Sequence, residues 1–138
     1  MSELVRFGVS LDKSLLDKFD RLIRERRYTN RSEALRDLIR EELVKKAWAE
    51  DMEVAGAVTF LFDHHQRDLQ NRITDIQHDY QKLIISTQHV HLDHDNCLEI
   101  VAVRGKAGKI QELTNRLKAT RGVRHCSLSI SSAGKDAR

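Results

Sequence analysis

The sequence predicts an α+β chain in two parts: a strand followed by two helices, then a βαββαβ unit. Three observations carry this expectation. Val5, Phe7, Val9 and Leu11 alternate with Arg6, Gly8 and Ser10, the period of a strand with one apolar and one polar face. Two amphipathic stripes at helical spacing then follow, with no strand between them. From about residue 55 the pattern runs strand, helix, strand, strand, helix, strand, the order of a split βαβ arrangement.

The first helix is expected from about Lys13, with Leu15, Leu16, Phe19, Leu22 and Ile23 on its inner face. It ends in Arg24, Arg26 and Arg27, and cations are favourable at a helix C-terminus. Thr29-Asn30-Arg31-Ser32-Glu33 opens the second helix. Asn30 can accept from the first free amides, and Glu33 sits where a capping box places a carboxylate. Ala34, Leu35, Leu38, Ile39 and Leu43 form its stripe, which runs to about Ala49, and Trp48 is expected to pack on the following unit. The boundary is expected near residue 50, giving parts 1–50 and 51–138. The hinge, residues 50–53, contains neither Pro nor Gly.

A lone strand cannot satisfy its backbone groups or bury its apolar face. A strand-helix-helix segment of this length therefore requires a second copy, giving a two-stranded ribbon in an intertwined dimer. Residues 4–46 resemble the ribbon-helix-helix DNA-binding fold, with Asn30-Arg31-Ser32-Glu33-Ala34 close to the usual start of its second helix.

In the second part the strands are expected at about 55–62, 83–92, 97–104 and 123–130, and the helices at 64–80 and 106–121. Leu69, Ile73, Ile76 and Tyr80 make one inner stripe, and Ile110, Leu113 and Leu117 the other. Gly105 and Gly122 punctuate the last helix. This is a ferredoxin-like order, and residues 131–138 read as a disordered tail.

Composition narrows the function. The chain is 40% apolar and 33% charged, with no run long enough to span a membrane and no apolar signal-peptide core. With two cysteines, Cys97 and Cys126, a disulfide framework is not expected and a cytoplasmic location is. Residues 1–50 hold 12 Lys+Arg against 10 Asp+Glu, so DNA binding must rest on placement rather than net charge. Aromatics at 5% disfavour stacking platforms for single strands.

The chemistry concentrates in Gln88-His89-Val90-His91-Leu92-Asp93-His94-Asp95-Asn96-Cys97-Leu98-Glu99. On a strand, His89 and His91 project from one side about 7 Å apart, together with Thr87 and Ile85. Asp93 to Asn96 form a turn, and the next strand brings Cys97 and Glu99 back on one face. Two imidazoles and a thiolate suit zinc, copper or nickel rather than calcium or magnesium. Glu99 is placed to orient a ligating imidazole from behind. The preceding helix offers His64, His65 and His78 for a fourth position. His78 lies opposite Leu69 around that helix, so it faces away from its own core and toward any neighbouring subunit. His94 reads as a solvated turn residue, His125 as surface, and Cys126 as a small core residue.

These motifs together, with Gly122-Val123-Arg124-His125 and Asn30-Arg31-Ser32-Glu33-Ala34-x-Arg36-Asp37, resemble the nickel-responsive repressor family, NikR. The resemblance implies a homotetramer whose central domains hold Ni(II) across a subunit interface. His89, His91 and Cys97 would come from one chain and His78 from another, in a square-planar site. Asp79 and Tyr80 stand where well-known members carry further histidines, so no auxiliary site is implied there. The resemblance also implies a hard cation such as potassium between the two domains, at Glu33 and Asp37.

In a paired ribbon Arg6, Gly8 and Ser10 would face the major groove of operator DNA, which admits a two-stranded ribbon. Arg6 can make a bidentate contact to guanine and Ser10 a weaker base or phosphate contact. Gly8 leaves its base step without a side-chain reader. Asn30, Arg31 and Ser32, at a helix N-terminus, suit a phosphate. The sequence therefore predicts a nickel-dependent transcriptional repressor, with no membrane and no small-molecule substrate. The same ligands would also serve a sensor of copper, cobalt or zinc, and a metal-independent ribbon-helix-helix protein is the further alternative. A metallohydrolase would need an open coordination position and a general base. Glu99 is the one nearby candidate base, no nucleophile motif accompanies it, and an enzyme is not expected.

Overall fold

The computed structural model describes residues 3–134, which divide into two compact units, 3–39 and 40–134.

In the first unit residues 3–12 form no helix and carry no ladder within the chain. Val5, Phe7, Val9 and Leu11, the apolar set of the predicted strand, are 71%, 69%, 61% and 43% exposed. Helix α1 spans Lys13–Glu25 and buries Ile23. The chain reverses through Arg27 at φ 59°, with the Tyr28 amide donating to the Ile23 carbonyl at 3.1 Å. Helix α2 spans Arg31–Ala49. The Glu33 amide donates to Asn30 Oδ1 at 2.9 Å, the expected cap, while the Glu33 carboxylate turns instead to Arg36 at 2.8 Å.

The second unit is a four-stranded antiparallel sheet in the order β2-β3-β1-β4, with β1 at Glu53–Asp63, β2 at Ile84–His91, β3 at Asn96–Lys106 and β4 at Arg124–Ser132. Helices α3 (Arg67–Asp79) and α4 (Ala107–Ala119) complete the βαββαβ order. On β1, Val54, Val58, Phe60 and Phe62 are buried, and on β3 Cys97, Glu99, Val101 and Val103. Register pairs Phe62 with Cys97, Phe60 with Glu99 and Val58 with Val101, so all lie on one face. Leu69, Ile73 and Ile76 of α3 and Ile110, Leu113 and Leu117 of α4 join them in a single core. Trp48 packs against that core, and its Nε1 donates to the Ser131 carbonyl at 2.9 Å.

Three expectations are corrected. The helix starts at Arg67 rather than His64, because the Asp63 carboxylate accepts the His65 amide at 2.9 Å and turns the chain first. In the expected tail, Ser131 and Ser132 instead continue β4 against Ala55 and Val54, and residues 135–138 lie outside the described residues. Ile85 leaves the histidine face. A bulge between Ile84 and Ser86 pairs Ile84 with Val103 and Thr87 with Val101, so Ile84 packs on the core and Ile85 is 65% exposed.

Gly56 of β1 leaves no space for a side chain beside β4. A Cβ there would stand 2.7 Å from the Ser129 carbonyl oxygen and 3.4 Å from both the Leu128 and Trp48 side chains. Backbone on one side and core on the other leave no room to yield. Gly56→Ala is expected to destabilise the chain by about 1–3 kcal/mol, the usual range for an overpacked site, measured as a lowered urea midpoint. An unchanged midpoint would show that the β1–β4 pair can spread.

Candidate metal centre

Strand β2 is an edge, and its register decides what its histidines meet. His91 lies opposite Cys97, and His89 opposite Glu99, so all four share the face that α3 and α4 cover further into the sheet. Cys97 is 1% exposed, against the core, whereas the His89 side chain is 57% exposed. Its ring stands edge-on to Phe62 at 6.4 Å between centroids. Cys97 Sγ lies 4.0 Å from His89 Nδ1. A pocket of about 200 Å³ opens here, lined by Phe62, Gln77, His89 and Glu99 among others.

The structure thus brings Cys97 and His89 together as the spacing predicts. His91 enters by register, but its donor atoms do not fall within 4.8 Å of both the others. The His91 ring instead meets His64 edge-on at 5.0 Å. His78, near the end of α3, is exposed, as its placement opposite Leu69 requires.

Glu99 is buried at 1% exposure. Its Oε1 accepts from Gln77 Nε2 at 2.6 Å and stands 3.7 Å from His89 Nε2. Its Oε2 is buried without a hydrogen-bond partner. Burial pushes the carboxyl up from its ordinary value, opposed by the Gln77 hydrogen bond and by the charge of His89. Burial, and then the Glu99 charge, also push the Cys97 thiol up. A bound cation reverses both effects, because it favours the thiolate and the ionised carboxylate. The donor set therefore fits a nitrogen- and sulfur-preferring divalent ion, with Glu99 as the buried charge beside an imidazole. Gln77, which donates to Glu99, is the residue of this pocket that the sequence reading missed. It lies four positions after Ile73, a polar residue on the inner side of an apolar stripe, and that is the signal that could have found it.

The residues expected at DNA fall into two groups. Arg6, Gly8 and Ser10 lie exposed on segment 3–12, and nothing surrounds a Cβ built at Gly8 within 4 Å. At the start of α2, Asn30 is committed to the cap and Ser32 is exposed. Arg31 forms a two-point pair with Asp20, Nε to Oδ1 at 2.9 Å and Nη2 to Oδ2 at 3.0 Å. That pair holds the Asp20 carboxyl below its ordinary value, mainly through the hydrogen bond. Of the expected hard-cation pair, Glu33 meets Arg36 and Asp37 accepts from the Tyr28 hydroxyl at 2.8 Å.

Comparison with known proteins agrees in both halves. Residues 5–46 match the ribbon-helix-helix protein, copG family, and residues 55–131 match the NikR C terminal nickel binding domain. A protein of Syntrophus aciditrophicus named "Putative nickel-responsive regulator" is 67% identical over 98% of both chains. One of the same name from Chlorobium phaeobacteroides is 64% identical over 96% of this chain and 99% of its own. An uncharacterized protein of Thermotoga maritima superposes with a TM-score of 0.52 at 11% identity, covering 56% of this chain and 96% of its own, which is a likeness of fold alone. No helix among the described residues is long and apolar enough to cross a membrane. The chain belongs to the family of nickel-responsive regulators that join a ribbon-helix-helix segment to a NikR C-terminal domain, a family of regulators and not of enzymes.

Proposed function

We propose that the chain is a nickel-dependent transcriptional repressor, working as a homotetramer on operator DNA. The observation that carries this reading is the β2–β3 register, which faces His91 with Cys97 and His89 with Glu99 in a segment that matches a nickel-binding domain. His89, His91 and Cys97 supply three donors, and His78 of another subunit the fourth. Three imidazoles and a thiolate admit the square-planar geometry that nickel(II) accepts. When bound, the ion fastens two subunits together, and Glu99, held by Gln77, orients His89.

The ribbon is the output. Pairing two copies of segment 3–12 buries the apolar face now exposed and turns Arg6, Gly8 and Ser10 together toward the major groove. The start of α2, with Asn30, Arg31 and Ser32, abuts the phosphate backbone, where helix N-termini favour anions. Arg31 must share its guanidinium between Asp20 and a phosphate, or release Asp20 on binding. Nickel and operator are coupled because each favours the same tetramer arrangement. A potassium ion at Glu33 and Asp37 would have to displace Arg36 and Tyr28 from those carboxylates.

The test of the metal assignment is nickel titration of the metal-free full chain at several pH values, followed by absorption. Cys97 must lose its proton to bind, and its thiol is held above its ordinary value. Above the range in which imidazoles ordinarily titrate and below the thiol pKa, affinity is therefore expected to rise about tenfold per pH unit, with a thiolate-to-nickel charge-transfer band of constant shape. A pH-independent affinity, or binding without such a band, would remove Cys97 from the ligand set. Copper outranks nickel in intrinsic affinity, so the same titration with copper separates what binds from what drives DNA binding.

A further inference from the structure

His78 is the penultimate residue of α3. The last turn of a helix frays, and a side chain carried on a frayed turn must be ordered before it can hold an ion. In this chain the turn is gripped from α4. Arg116 Nη1 donates to Asp79 Oδ2 at 3.1 Å. The guanidinium carbon of Arg116 lies 5.4 Å from the centroid of the Tyr80 ring, within the range of a cation–π contact. The Tyr80 hydroxyl donates to Glu112 Oε2 at 3.1 Å. Asp79 and Tyr80 directly follow His78, and Glu112 and Arg116 lie one turn apart on α4. Two adjacent residues at the end of one helix are thus held by two neighbours on the face of the other.

The grip has a firm base. Ile110, Leu113 and Leu117 seat α4 in the core with no exposed surface, and Tyr80 also packs against that core. Beyond the helix the backbone closes at once. The Gln81 amide donates to the His78 carbonyl at 3.2 Å, the Leu83 amide to the Tyr80 carbonyl at 2.9 Å, and the Arg104 amide of β3 to the Leu83 carbonyl at 2.8 Å. His78 is therefore exposed on a backbone tied down after it. The Arg116 and Asp79 side chains are 46% and 56% exposed, and a pair so open to water adds little to the stability of a whole chain. Its place beside His78, rather than its strength, is what gives it a role.

We propose that Arg116, seconded by Glu112, is a positioning residue for His78. By gripping Asp79 and Tyr80 it keeps the last turn of α3 wound in the metal-free chain, so that the imidazole is already placed when a neighbouring subunit's donors bring the ion. Ordering done in advance is not charged against binding. The proposal rests on the reading of His78 as the nickel donor from another subunit.

The experiment is a double-mutant cycle of Arg116→Ala and His78→Ala in the full chain, with nickel affinity measured by competition with a chelator. Urea midpoints and amide exchange of the metal-free proteins accompany it. Arg116→Ala should weaken nickel binding about three- to thirtyfold, leave the urea midpoint nearly unchanged, and speed exchange at the last turn of α3. In the His78→Ala background the same change should have no further effect, because no imidazole remains to be placed. Arg116→Lys keeps the charge but not the planar group and should recover part of the affinity. An equal loss from Arg116→Ala with and without His78 would overturn the proposal, as would an unchanged affinity with His78 present. Either result leaves His78 standing as a ligand if His78→Ala itself weakens binding. An unchanged affinity in His78→Ala would remove His78 from the ligand set, and the proposal with it.

Discussion

Cys97→Ala is expected to abolish nickel-dependent binding to a DNA fragment that the nickel-loaded wild type retains, with little loss of stability. Cys97 is small and fully buried against the core beside Phe62, so the change trims one atom from a packed site. The metal side is different. Sulfur is the donor that distinguishes this cluster from an ordinary imidazole patch. Removing groups that merely orient a ligand already costs about 10–100-fold in affinity, and removing the ligand should exceed that. Competition with a chelator of known affinity measures the first effect and DNA retardation with and without nickel the second. Unchanged nickel-dependent retention in Cys97→Ala would move the signal to another donor set.

Phe7→Asp, alone or with Val9→Asp, is expected to eliminate specific DNA binding together with the assembly made by ribbon pairing. Phe7 and Val9 are 69% and 61% exposed within one chain, an uneconomical arrangement unless a second copy covers them. Burying side chains of this kind stabilises by about 1.5–3 kcal/mol each, and two copies double the effect at the ribbon. A carboxylate there would be buried unpaired, which costs more than the lost contact. Sedimentation of the variant and of wild type, both without metal, decides the matter. A variant that keeps the wild-type assembly size and binds operator would show that segment 3–12 does not pair.

How far the sequence reached follows from the range of the forces involved. Periodicity located every helix and every strand of the second unit, because its sheet and helices bury complete stripes such as Val54, Val58, Phe60 and Phe62. The α3 start was missed because one local bond, His65 amide to Asp63 carboxylate, outweighed helical spacing. The Ile85 face was missed because a bulge leaves no mark in an alternation of apolar residues. The first strand is visible in the sequence, yet within one chain it has no ladder, since its partner would be another copy. At the metal centre, Cys97 and His89 were legible from strand alternation and turn chemistry alone. Gln77 was not, because its role depends on how α3 lies over β3 and presents an amide to the buried Glu99.

The central claim is that one metal site draws ligands from two subunits, and a mixing experiment tests it most directly. His78→Ala and Cys97→Ala chains should each lack the thiolate-to-nickel band, or show it much weakened. After the two are unfolded together and reassembled, each interface that joins His78 of a Cys97→Ala chain to His89, His91 and Cys97 of a His78→Ala chain is complete. The band and nickel-dependent DNA retention should then reappear at a fraction of the wild-type level. Recovery in neither signal, with mixed tetramers present by mass spectrometry, would contradict a site shared between subunits.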